Sequence, residues 1–245
     1  MEASISQACN SQRNEVKIAV IDSGVNPYHS HINGIDGGIA LRVNREGGIE
    51  YHDDLRDRLG HGTAVTAVLK YLLSDVRVFA VKIFDEKLAT YPSVLAEAIY
   101  WCINEKMNIV NLSLGIARDD KKVREACQAA YEAGIVMVSA YDEGNQLYWP
   151  AKYETVLGVC AGEVPRHEWR FVTKKFFRAC GYPRELPSNL QLYNIHGHSF
   201  AAAHFSATVA RLLQEHYDWQ SGDVFMYFEN LYRNRVLYYM DASSR

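Results

Sequence analysis

The 245-residue sequence predicts an α/β domain, a mainly parallel sheet with helices on both faces. Three observations carry that expectation. Short, β-branched apolar runs recur at 16–21, 76–84, 109–114, 135–140 and 155–160. Apolar residues at helical spacing fill intervals between them, at 63–73, 94–106 and 121–133, and again at 200–217. With 48% apolar residues and a net charge of −3, the chain has material for one large buried core.

Residues 1–15 are polar and contain no apolar signal core, so they read as a tail before a domain spanning 16–245. A cytoplasmic protein is the matching expectation. The run at 16–21 ends in Asp22-Ser23-Gly24, the pattern of a strand buried on both faces that delivers a carboxylate to the edge of the sheet. Gly60-His61-Gly62-Thr63 sets a histidine between glycines where the first helix begins. The third run leads into Ser113-Leu114-Gly115, and ligands on such sheets sit at the carboxyl ends of the strands. Asp22 falls at the same edge.

Segment 164–193, with Pro165, Pro183 and Pro187 among aromatic and basic residues, reads as an elaborated surface loop or hairpin that shapes a cleft. It is followed by Gly197-His198-Ser199-Phe200-Ala201, a serine between small residues at the start of a long apolar helix. Such a setting exposes a hydroxyl and lets a substrate backbone approach closely. A last helix at 223–233 has Val224, Phe225, Phe228 and Leu231 at core spacing.

Several classes are excluded. No basic stripe points to nucleic acid, and no apolar stretch approaches a membrane span. No phosphate-binding glycine loop followed by lysine accompanies the Asp22 strand. The five cysteines, Cys9, Cys102, Cys127, Cys160 and Cys180, lack paired ligand spacing and read as reduced core residues. His52, Asp53, Asp54 and Asp57 read as a solvated loop before a helix. No metal and no cofactor are expected.

Asp22, His61 and Ser199, in that chain order and in those glycine-flanked contexts, resemble the subtilase (subtilisin-like serine protease) family. The likeness extends through Ala80-Val81-Lys82-Ile83, 94–106, 109–115, Trp149-Pro150-Ala151-Lys152-Tyr153 and Asp218-Trp219-Gln220, and covers most of 16–234. It implies a subtilisin-like fold and a serine endopeptidase in which Ser199 attacks, His61 moves the proton and Asp22 fixes the imidazole tautomer. It also implies a peptide or protein substrate held between Leu88-Ala89-Thr90 and Ser113-Leu114-Gly115 by main-chain pairing, with Tyr148 near the floor of the primary specificity pocket.

The departures from the family matter for the chemistry. Asp142 stands where the family has an asparagine that donates to the oxyanion, and Asn145 is the alternative donor if the loop is rearranged. A carboxylate would repel the developing charge unless protonated. His198 replaces a threonine, Ala64 a histidine and Ala203 a proline, and 69–76 lacks the insertion that forms a calcium loop. The compact size, the missing secretion signal and the altered oxyanion position suggest a dedicated peptide-precursor processing enzyme, and the absence of a long N-terminal folding segment fits an intracellular member or a chain supplied without its pro-segment. A subtilase-fold peptide-binding protein with weak or no catalysis is the alternative.

Overall fold

The computed structural model describes residues 15–142, 144, 146 and 148–242. The strands are β1 (Val16–Asp22), β2 (Gly37–Val43), β3 (Ile49–His52), β4 (Val76–Lys82), β5 (Ile109–Leu112), β6 (Val136–Ala140), β7 (Val156–Gly162), β8 (Trp169–Phe171) and β9 (Phe176–Cys180). The helices are α1 (His61–Leu72), α2 (Pro92–Asn104), α3 (Lys121–Glu132), α4 (His198–Glu215) and α5 (Ser221–Ala242). The strands form one sheet in the order β3-β2-β4-β1-β5-β6-β7-β9-β8. All neighbours are parallel except the edge pairs β2–β3 and β8–β9.

β1 lies at the centre because the chain crosses over it, leaving β4 on one side and β5 on the other. Its alternate residues face opposite layers. Val16, Ile18 and Val20 join the core beneath α1, α4 and α5, while Ala19 and Ile21 join the core beneath α2 and α3. That alternation puts Asp22 on the face of α1 and α4. The two antiparallel edges were not separately legible in the sequence, since β3 and β8 are only four and three residues long. Segment 164–193 contains the β8–β9 hairpin, so part of it extends the sheet.

Helix starts follow local chemistry. Pro92 occupies the first turn of α2, where its missing N–H has no partner to lose. Asp120 caps α3 by accepting from Lys122 N and Val123 N at 2.9 and 3.2 Å. Cys102, Cys127, Cys160 and Cys180 are free and buried, and burial pushes the Cys127 thiol up to about 12. The Lys175 ammonium is buried against Ala151 O and Tyr153 O at 2.8 and 3.0 Å, and desolvation pulls its pKa down to about 8.

Helix α4 is fixed to the sheet through an aromatic cluster. Phe205 stacks on Phe177 of β9 with ring centroids 4.1 Å apart, and packs beside Phe228 of α5 and Trp169 of β8. Truncating Phe205→Ala is expected to lower stability by roughly 3–5 kcal/mol through lost burial and the cavity left behind. Urea unfolding measures this as a lower midpoint; an unchanged midpoint would show that the cluster does not hold α4.

Candidate active site

A carboxylate without exposure needs every available hydrogen bond. Asp22 has that problem at the end of β1, and the neighbouring chain solves it. Its Oδ1 accepts from Ser23 N at 2.7 Å and lies 3.1 Å from Ser23 Oγ. His61 Nδ1 lies 2.8 and 2.9 Å from the two carboxylate oxygens. With Nδ1 donating to Asp22, the neutral ring keeps Nε2 unprotonated and able to accept a proton.

The N-terminus of α1 holds His61 in place. Gly62 N donates to Ser23 Oγ at 2.9 Å, and Thr63 N donates to Asp57 Oδ2 at 2.8 Å, satisfying two of the helix's orphan donors. Asp57 also accepts from Ser23 Oγ, Thr63 Oγ1, Leu59 N and Gly60 N. The expected solvated loop is therefore corrected: Asp57 is the hub that ties the end of β1 to the start of α1. Asp54 does behave as a surface charge, paired with Arg56 and Arg58. The signal for Asp57 was its spacing to Leu59 and Gly60, the reach of an Asx turn.

Two glycines are required by contact. A Cβ on Gly62 would lie 2.1 Å from Gly24 O and 3.2 Å from Asp22 Oδ1. Gly24 has φ +97°, and a Cβ there would lie 2.4 Å from Leu55 O. The strap around Leu55 is itself held by Lys82, whose buried ammonium donates to Arg56 O at 2.7 Å.

Burial disfavours the charged form of His61, but the hydrogen bond to Asp22 and the charges of Asp22 and Asp57 outweigh it and raise its pKa above the ordinary 6.5. The His61 ring packs near Phe200, with centroids 6.0 Å apart, next to Ser199 at the start of α4. Ser199 Oγ donates to Ser113 O at 3.1 Å. Its hydroxyl is thus committed to the carbonyl just past the end of β5. Further along α4, Ser206 Oγ donates to Asn111 Oδ1 at 3.0 Å, and Asn111 Nδ2 donates to Ser113 Oγ at 2.8 Å. Sequence reasoning passed over Asn111, although a polar residue inside an apolar run marked it.

A cleft of about 480 Å³ begins at Ser199 and runs between segments 88–92 and 113–116. The structure thus brings together Leu88, Ala89, Thr90, Ser113, Leu114 and Gly115 as its facing sides, with Asp142 and His198 in the wall beside Ser199. Tyr148 is not among the residues lining this cleft; the Lys152 ammonium sits 5.6 Å from its ring centroid. Tyr141 lines the cleft, buried with its ring edge-on to Phe176 at 4.9 Å. Asn145, the alternative oxyanion donor, lies outside the described residues. Among the described residues no group of three metal-ligating side chains comes together, and no helix is long and apolar enough to cross a membrane.

Comparison with known proteins supplies the family. A sequence model described as the subtilase family (peptidase S8) matches residues 13–232. The minor extracellular protease Epr of Bacillus subtilis (strain 168) is 33% identical over 158 residues, covering 60% of this chain and 23% of that protein. The thermostable alkaline protease of Halalkalibacterium halodurans is 31% identical over 57% of this chain and 46% of its own length. The chain thus spans less than half of these two relatives. Subtilisin DY of Bacillus licheniformis is 24% identical across 82% of this chain and 77% of its own length. The crystal structure of the nisin leader peptidase NisP from Lactococcus lactis shares the fold, with a TM-score of 0.67 at 15% identity over 85% of this chain and 80% of that one. The chain belongs to the subtilase family of serine proteases.

Proposed function

We propose that this protein is a serine endopeptidase acting through Asp22, His61 and Ser199 and an acyl-enzyme. The observation that carries the reading is the hydrogen bond from the half-buried His61 to the buried Asp22 at the carboxyl edge of the sheet, with Ser199, whose neighbour Phe200 packs near the His61 ring, lining the cleft. Ser199 Oγ turns from Ser113 O, loses its proton to His61 Nε2 and bonds to the peptide carbonyl carbon, whose π electrons move to oxygen. His61 then gives the proton to the leaving amine, and water releases the acyl group by the same steps. The N–H of Ser199, in the first turn of α4, is one oxyanion donor.

The cleft supports an extended peptide held by main-chain pairing between its two sides. A role in processing peptide precursors draws on the likeness to a protein named for leader removal. Two observations favour a second reading, a peptide-binding protein with little catalysis: the carboxylate of Asp142 beside Ser199, and the serine hydroxyl bonded to a carbonyl.

A fluorophosphonate probe separates the two readings. Labelling is expected in the unaltered protein, absent in Ser199→Ala and strongly reduced in His61→Ala. No labelling of the unaltered protein would favour the binding reading, and undiminished labelling of Ser199→Ala would overturn the nucleophile assignment.

The raised pKa of His61 sets a pH dependence. His61 must be neutral to accept the serine proton, so kcat/KM should fall with decreasing pH through a midpoint above 6.5. The linked stability runs the other way: the imidazolium–Asp22 pairing is fully present below the unfolded-state pKa and is lost as pH rises through the folded-state value. A pH–rate profile with its acidic midpoint at or below 6.5 would contradict the first statement.

Asp142→Asn is expected to raise kcat at neutral pH with little change in KM, since a carboxylate opposes an oxyanion and an amide donates to it. Steady-state kinetics on one peptide substrate check this, and unchanged turnover would place Asp142 outside the oxyanion site.

A further inference from the structure

His198, the residue before Ser199, is held in one protonation pattern by the sheet. Its Nδ1 accepts the backbone N–H of Ala161 in β7 at 3.1 Å. A nitrogen that accepts carries no proton, so the ring proton of neutral His198 resides on Nε2. Burial disfavours the charged ring, and with a smaller contribution from His196 it outweighs the opposing charge of Asp142 and holds the pKa below the ordinary value. At neutral pH the residue is therefore an uncharged N–H donor.

The direction of that donor is also fixed. Nε2 lies 3.6 Å from Asp142 Oδ2, beyond direct hydrogen-bond distance. His198, Asp142 and Ser199 share the wall of the cleft. Turning the ring over would break the bond to Ala161, so the N–H stays on the Asp142 side of the ring. A carboxylate can help an oxyanion only by first taking up a proton, and that requirement opposes the need for neutral His61. The N–H of His198 has no such conflict.

We propose that His198 Nε2–H is the second oxyanion donor of this protease, acting beside the Ser199 N–H in place of a side-chain amide. The proposal rests on Ser199 being the nucleophile. As the Ser199 Oγ–carbon bond forms and the serine proton passes to His61, the carbonyl π pair becomes an oxyanion lone pair. His198 hydrogen-bonds to that lone pair and transfers no proton.

Two substitutions separate donation from support of the loop. His198→Asn retains a short acceptor for Ala161 N–H but no donor at the Nε2 position; His198→Gln extends an N–H to that position. With folding confirmed by matched melting temperatures, His198→Asn should lower kcat by about a hundredfold to a thousandfold with little change in KM. His198→Gln should recover most of the loss. Affinity for a peptide aldehyde, which forms a hemiacetal with Ser199, should fall in parallel with kcat, while affinity for the matching peptide amide stays unchanged. Full turnover in His198→Asn, equal losses for aldehyde and amide, or no recovery in His198→Gln would each overturn the proposal. Fluorophosphonate labelling that survives Ser199→Ala would remove the nucleophile assignment beneath it, and is read independently of the His198 series.

Discussion

A carboxylate buried at the end of the central strand is the constraint around which this active-site region is organised. Asp22 lies beyond water, so the protein must supply its hydrogen bonds. Ser23 and His61 do so, and each brings a further demand. Ser23 Oγ also meets Asp57 and the Gly62 N–H, so the strand end and the start of α1 become one network. Within that network a methyl group on Gly62 or Gly24 has no room. The same bonds that satisfy Asp22 fix which nitrogen of His61 carries the proton, so the buried carboxylate and the imidazole tautomer are set by one arrangement.

The neighbouring helix α4 is organised largely by a different force. Helix α4 is held by aromatic packing of Phe205 with Phe177, Phe228 and Trp169, and by the Ser206–Asn111 hydrogen bond. Its first turn presents Ser199 and His198 to the cleft. Asp22 and the start of α1 are therefore positioned by hydrogen bonds, and α4 chiefly by apolar burial with one buried hydrogen bond beside it. The first is directional and specifies a tautomer; the second is non-directional and specifies a helix position. The serine hydroxyl is bonded to Ser113 O, the carbonyl just past β5.

The sequence carried the central strands and the helices well, because each is long enough for its apolar period to be read. The glycine-flanked settings placed Asp22 at a strand end and His61 and Ser199 at helix starts, where the structure has them, and the segments at 88–90 and 113–115, singled out by likeness to a family, line one cleft. β2, β3, β8 and β9 escaped: β3 and β8 are too short to carry a reliable period, β9 lies in a segment read as a loop or hairpin, and β2 opens on Gly37-Gly38, a pair that weakens any strand signal. Tyr148 was assigned to the specificity pocket by alignment next to a loop of altered length, and the structure keeps it out of the cleft lining. Asp57 looked like one of several surface acids, since a carboxylate's partners are set by folding and not by its neighbours' charges.

By itself the sequence determined the α/β class, the family, and the strand end and helix starts on which Asp22, His61 and Ser199 sit. These are properties of local pattern: residue type, apolar period and glycine placement. Only the tertiary structure decided that Asp57 and Ser23 lock His61, that Ser199 faces Ser113, and that Ala161 fixes the proton of His198 on Nε2. Each depends on a hydrogen bond between residues far apart in the chain. Such a bond exists only after the sheet has brought its strands into register, and no local signal encodes its distance or direction.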